Sequence, residues 1–115
     1  MRTRHWLVGA IFLGGCATAG PSGESMEATA ASIRAAEELG APRVPQASLH
    51  LQLAKEQSEH AKQLVAKGAA EEAGFLMMRA DADAELALAL ARSSVANAKA
   101  QKAIEKVRTV QTDAP

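Results

Sequence analysis

Aromatic residues, thiols and excess positive charge are scarce in this sequence. Its 115 residues include one cysteine, one tryptophan, two phenylalanines and no tyrosine. Platforms that stack nucleic-acid bases or sugars need several exposed aromatic rings, so this composition excludes them. The 13 basic residues equal the 13 acidic residues in number, and a chain without a basic surface is not expected to bind nucleic acid.

Catalytic and metal-binding motifs are also missing. The sequence has neither a glycine-rich phosphate loop nor a nucleophile elbow. His50 and His60 are ten residues apart, a spacing that does not bring two metal ligands together on one helix. We therefore expect both histidines at the surface or at a helix interface, and we predict no enzymatic activity, no metal and no cofactor.

Three alternating carboxylates resemble the start of a calcium loop. They are Asp81, Asp83 and Glu85. The glycine and the final glutamate of such a loop are missing, and a helix would place Asp81 and Asp83 about 200° apart around its axis. The pattern therefore predicts a solvated charged face of a helix.

A short apolar run near the N-terminus leads to the only cysteine. Arg2 and Arg4 precede this run at residues 6–13, an order that is typical of a secretory signal. The run is too short to span a bilayer, which takes about 20 apolar residues. The run ends at Leu13 and is followed by Gly14, Gly15 and Cys16. These four residues resemble the lipobox of bacterial lipoproteins.

That resemblance implies a covalent lipid on Cys16. Residues 1–15 would be a signal peptide, removed before a cysteine that carries a diacylglycerol thioether and an N-acyl chain such as palmitate. Several acyl chains anchor a protein firmly, since each buried methylene contributes about 0.8 kcal/mol. Because Ala17 rather than aspartate follows the cysteine, the resemblance also implies sorting to the outer membrane, with the body in the periplasm.

The rest of the chain is typical of one small domain behind a tether. Small residues, glycine and proline at 16–24 predict a flexible segment after the lipidated cysteine. Alanine is the best helix former, so we expect a helical domain at 25–110 and a disordered tail at 111–115. Gly40 and Gly68 are the expected ends of the first two helices.

Apolar residues at helical spacing predict three helices, of which the first begins at Ser25 as its N-cap. The second, at about 45–67, has a stripe formed by Ala47, Leu51, Ala54, Ser58, Ala61 and Val65. The third, at about 70–109, has a main stripe formed by Ala73, Met77, Ala80, Ala84, Ala87, Ala91, Ser94 and Ala98. The middle of the third helix is apolar on several faces, as expected of a central helix. The residues responsible are Leu76, Leu86, Leu88 and Leu90. We predict an all-α fold, an antiparallel three-helix bundle or helical hairpin with a long C-terminal helix, after an N-terminal signal helix.

The third helix is longer than any neighbour it could pack against. At 1.5 Å per residue it spans roughly 60 Å, against roughly 35 Å for the second helix. It must therefore overhang, bend or break, with Ser93, Ser94 and Asn97 as the candidate break points. A second, weaker seam follows on this part of the helix, at Ala96, Ala100, Ala103, Val107 and Val110. Either the first helix or a second copy of the chain would cover it.

Basic residues also collect on this part of the third helix. They are Arg92, Lys99, Lys102 and Lys106. They form a candidate patch for an anionic partner, such as lipopolysaccharide, phospholipid headgroups or peptidoglycan carboxylates. The alternative is that they complement the negative end of the helix dipole and keep the chain soluble.

Several short segments resemble a known family of small periplasmic helical domains, domain of unknown function 4398. They are the linker Leu39-Gly40-Ala41-Pro42, the spacing of Leu51, Ala54 and Ala61, Gly68 followed by Glu72-Ala73, and the run from Ala82 to Ala87. The resemblance covers about residues 25–108 behind the lipobox. In that family the domain occurs alone in lipoproteins or ahead of an OmpA-like peptidoglycan-binding domain. The family supplies no catalytic residues, and this sequence contains no OmpA-like segment whose activity could be carried over.

Two functions are compatible with these observations. The first is a structural or interaction lipoprotein of the cell envelope, which uses its helical seam to meet a periplasmic protein or itself. The second is a carrier or binding module that opens for an apolar or envelope-derived ligand. A carrier needs a cavity of ligand size, whereas a scaffold needs an exposed apolar seam.

Overall fold

The computed structural model describes residues 20–114, and these residues form helices joined by short turns. The elements are α1 (Gly23–Glu38), a 3₁₀ helix (Ala41–Arg43), α2 (Pro45–Ala66) and α3 (Ala70–Thr112). The predicted all-α class is therefore confirmed. The predicted signal peptide and the lipobox lie outside the described residues.

Helix α1 begins earlier than the sequence indicated. Ser22 has an extended backbone, with ψ of 155°, and its Oγ accepts a hydrogen bond of 3.0 Å from the amide of Ser25. The prediction of Ser25 as the N-cap was wrong, because Ser25 lies inside the first turn that Ser22 caps. The helix thus includes Gly23 and Glu24, which we had assigned to the tether.

Helix α3 also extends further than predicted. Gln111 and Thr112, assigned to a disordered tail, are its last two residues. The hydroxyl of Thr112 donates to the carbonyl oxygen of Arg108 at 3.1 Å, which satisfies one of the backbone acceptors that a helix end leaves free.

Glycines end α1 and α2, as predicted. Gly40 and Gly68 have φ of 86° and 80°, the left-handed region that favours glycine. After α2, the amide of Gly68 donates to the Val65 carbonyl at 3.0 Å and the amide of Ala69 donates to the Leu64 carbonyl at 2.9 Å. These two bonds form a Schellman motif, which turns the chain back on itself within three residues.

The three helices pack side by side, each reversed relative to the one before it in the chain. The core residues of α2 and α3 meet in antiparallel order, and α1 packs against both. Small residues fill the interface, namely Ala36, Ala41, Ala47, Ala54, Ala61, Ala73, Ala80, Ala84, Ala87 and Ala91. Met77 and Thr29 are the largest side chains that are fully buried. The core is therefore closely packed but buries little apolar area for each residue.

The predicted stripes are buried over most of their length but not at their ends. In α2 the stripe is buried from Ala47 to Ala61, whereas Val65 is 43% exposed. In α3 it is buried as far as Ala91, whereas Ser94 is half-buried and Ala98 is exposed. Burial stops there because the linker and the start of α2 lie beside Ala91, and no described element packs beyond them.

Candidate interaction surface

The C-terminal part of α3 overhangs the other helices. The helix runs for 43 residues without a break, which corresponds to about 64 Å. Every described residue from 96 onward is exposed. Of the predicted overhang, bend or break, the helix therefore adopts the overhang. Helix α1 does not cover it, because Ala36 near the end of α1 packs beside Ala87 and Ala91.

The predicted seam lies on one face of this overhang. At 100° per residue, the five residues Ala96, Ala100, Ala103, Val107 and Val110 fall within an arc of about 80°. Val107 is 57% exposed and Val110 is 64% exposed. Ile104, which is not one of the predicted seam residues, lies at the edge of the same face and is 54% exposed.

The same exposed face continues back along the whole of α3. Phe75 and Met78 are 62% and 70% exposed, and Leu86 is 42% exposed. We call the complete set the outer stripe, and its members are Phe75, Met78, Ala82, Leu86, Ala89, Ser93, Ala96, Ala100, Ala103, Val107 and Val110. All of them are exposed, and they follow one another at spacings of three or four residues.

The outer stripe lies almost opposite the buried stripe of α3. On a helical wheel the centres of the two stripes are about 150° apart. The expectation that leucines on all faces would serve a buried central helix was therefore wrong for Leu86, whereas Leu88 is 9% exposed and belongs to the core. The sequence of α3 therefore contains two apolar periodicities, one for the buried stripe and one for the outer stripe, and they lie on different faces of the helix.

The predicted basic patch divides around the helix. Arg92, Lys99 and Lys106 follow one another every seven residues along one edge of the outer stripe, and Glu85 precedes them in the same series. Lys102 lies about 60° from Lys99, above the continuation of the buried stripe. All four basic residues are exposed. Among residues 20–114, none of the four forms an ion pair, whereas Arg108 lies 3.6 Å from Glu105.

Two of the alternating carboxylates join helices instead of facing solvent. The hydroxyl of Thr29, which is fully buried on α1, lies 3.1 Å from an Asp81 oxygen. Asp83 accepts from Gln57 on α2 at 2.9 Å and lies 2.8 Å from Nδ1 of His50. Because Asp81 and Asp83 lie about 200° apart around α3, Asp81 contacts α1 and Asp83 contacts α2. The charged-face prediction was therefore wrong for both.

The remaining candidates stay at the surface. Glu85 is exposed, as a solvated face requires, and His60 is exposed while His50 lies at the α2–α3 interface. In the part of the chain that the structure describes, no three histidine, cysteine, aspartate or glutamate side chains come close enough to hold a metal ion. Within the same range, no helix has the length and hydropathy needed to cross a membrane.

A groove lies at the N-terminal end of the outer stripe. Its volume is about 390 Å³, and Gly20, Pro21, Gly74, Phe75 and Met78 are among the residues that line it. A Cβ atom on Gly20 would lie 3.1 Å from that of Ala70. Gly20 and Pro21 of the predicted tether therefore lie against the start of α3.

Comparison with protein-family models, curated proteins and solved structures finds no match to this chain. The resemblance to the small periplasmic helical domains stays a prediction. The candidate site is consequently defined by the geometry of α3.

Proposed function

We propose that this chain is a lipid-anchored scaffold of the bacterial envelope, which presents α3 to a protein partner in the periplasm. The outer stripe carries this proposal, because its mostly apolar residues are exposed along the helix and include large ones near both ends. Long exposed apolar surfaces of this kind mark interaction sites. The lipobox-like residues that end at Cys16 supply the anchor, and the lipid is the only non-protein group that the role requires.

In this proposal the described helices form a three-helix bundle behind a cleaved signal helix, as in domain of unknown function 4398. The scaffold role is non-catalytic. The carrier alternative would need an enclosed apolar cavity in the core. Alanines at 0% exposure that pack into contiguous clusters with Leu51, Met77 and Leu88 favour the scaffold instead.

The anchor is tested by metabolic labelling with palmitate in a Gram-negative host, followed by separation of the inner and outer membranes. We expect label on the wild-type chain in the outer membrane and none on Cys16→Ser. Ala17→Asp should keep the label but shift the chain toward the inner membrane. A wild-type chain without label would disprove the anchor.

The interaction surface is tested by chemical cross-linking in the intact envelope. We expect Val107→Asp/Val110→Asp to stay labelled and helical but to lose the cross-linked products of the wild type, because two charges would be buried in the contact. Thr109→Asp is the matched control, since it adds a charge on the other side of the same exposed segment. Equal products from all three chains would contradict the proposed use of this face.

A further inference from the structure

We infer that the outer stripe binds a second copy of this chain, with the two α3 helices antiparallel. The inference rests on the proposed function and identifies the partner that it leaves open. A two-fold pairing presents the same surface from both chains, so each contact occurs twice. The spacing of the exposed residues on α3, the large residues near the ends of the stripe and the overall charge distribution favour this arrangement.

The sizes of the residues in the outer stripe favour antiparallel pairing with the same stripe of a second copy. Large residues stand at both ends of the outer stripe, and small ones fill its centre apart from Leu86. In the antiparallel register that we propose, Phe75 lies opposite Val107 of the second copy. Ala82 then lies opposite Ala100, and Ala89 lies opposite Ser93. Phe75 thus meets a large residue, Leu86 lies opposite the small Ala96, and the small central residues allow close approach of the two backbones.

The spacing of the stripe fits a coiled coil. Steps of three and four residues average close to 3.5 residues per turn, which makes two helices wind around each other with a left-handed twist. The contact would extend over about 50 Å of each helix. Because the outer stripe lies about 150° from the buried stripe, α1 and α2 of each chain stay outside the pair.

Charge decides the relative direction of the two helices. In an antiparallel pair, the edge that carries Glu85, Arg92, Lys99 and Lys106 meets the same edge of the second copy. Glu85 of each copy then lies within two residues of the level of Lys99 of the other copy, so this contact occurs twice in each pair. The two Arg92 side chains approach each other at the two-fold axis. In a parallel pair this edge would instead meet uncharged residues, namely Leu90, Asn97 and Ile104.

The wider charge distribution points the same way. Residues 92–112 of α3 carry five basic side chains and one acidic one, whereas residues 70–91 carry five acidic and one basic one. Antiparallel pairing lays each basic overhang beside the acidic half of the other α3. Parallel pairing would lay basic beside basic and acidic beside acidic. Complementary charge of this kind selects the register and the partner.

Cysteine cross-linking of the full-length lipoprotein in intact envelopes tests the direction. One tagged copy carries Ala82→Cys, a differently tagged copy carries Ala100→Cys, and a short bismaleimide joins nearby thiols. We expect a product that carries both tags when the two are co-expressed and none from either alone, because like positions lie about 27 Å apart. Products from each variant alone would show parallel pairing, and absence of any product would overturn the inference.

Charge exchange tests the register with the same assay. Lys99→Glu should lower the cross-link yield about tenfold, since two attractive pairs become two repulsive ones. Glu85→Lys/Lys99→Glu should restore the yield. Lys102→Glu, about 60° further from the outer stripe than Lys99, is the control and should leave it unchanged. Equal loss in the single and double variants would contradict the proposed register.

Palmitate labelling of the same samples separates the two proposals. A labelled chain without the two-tag product would refute pairing and leave the anchored scaffold intact. The two-tag product on an unlabelled chain would refute the anchor and support pairing. Because a free Cys16 would itself react, the chain without added cysteines is included, and a product from it would also count against lipidation.

Discussion

Small side chains determine how closely the helices of this protein approach one another. Alanine fills most of the buried positions, so each residue removes little apolar surface from water. Individual polar contacts between helices consequently account for a larger share of the stability than in a core of leucine and isoleucine. Thr29, Asp81 and Asp83 make contacts of this kind.

Replacement of the buried hydroxyl tests this view at one residue. Thr29→Val keeps the shape of the side chain but removes the group that lies 3.1 Å from both the Ser25 carbonyl and Asp81. We expect the free energy of unfolding to fall by about 1 kcal/mol in urea denaturation followed by circular dichroism. Thr109→Val is the control, because its hydroxyl makes a similar backbone bond, at 2.9 Å, in an exposed position. A similar loss in both variants would show that helix propensity, and not the buried contact, is responsible.

At the scale of the elements, the positions of the helices could be predicted from the sequence, but the face of α3 that packs against the other helices could not. Periodicity predicted the three helices, and Gly40 and Gly68 identified two of their ends. Periodicity alone does not decide which apolar face of a helix is buried within the chain when the helix has two. Leu86 and Leu88 show the difficulty, since they are two residues apart in one apolar run and point to opposite sides of α3.

The same helix contains a pair of adjacent residues that separates its two faces. Met77 is 1% exposed and Met78 is 70% exposed. We expect Met77→Ala to lower the free energy of unfolding by 2 to 4 kcal/mol, roughly the range for a cavity left by methionine, and Met78→Ala to change it by less than about 0.5 kcal/mol. Urea denaturation measures both changes. It is carried out at protein concentrations low enough that the midpoint of unfolding no longer depends on the protein concentration. A large effect of Met78→Ala under those conditions would mean that the outer face is covered within one chain.

At the scale of the whole molecule, the proposed pairing and the proposed lipid anchor together restrict how the protein would lie on a membrane. Gly20 lies beside Ala70 at the start of α3. In the antiparallel pair the two starts are about 63 Å apart along the helices. Two short tethers reach one membrane from such positions only if the paired α3 helices lie along its surface. The residues that resemble a lipobox could be identified in the sequence alone, whereas this orientation follows only from the position of Gly20 beside the start of α3.

The division of the molecule into an acidic half and a basic overhang makes the pairing sensitive to salt. The Debye length falls from about 10 Å at 0.1 M to about 3 Å at 1 M ionic strength, so exposed complementary charges attract one another less at high salt. We expect the yield of the Ala82→Cys with Ala100→Cys cross-link in isolated membranes to fall several-fold between these two concentrations of sodium chloride. Glu85→Gln/Lys99→Gln added to both chains should give a lower yield at 0.1 M and a smaller fall, because both attractive Glu85–Lys99 contacts are already absent. A wild-type yield that rises with salt would mean that repulsion between like charges dominates the contact, which would contradict the proposed register.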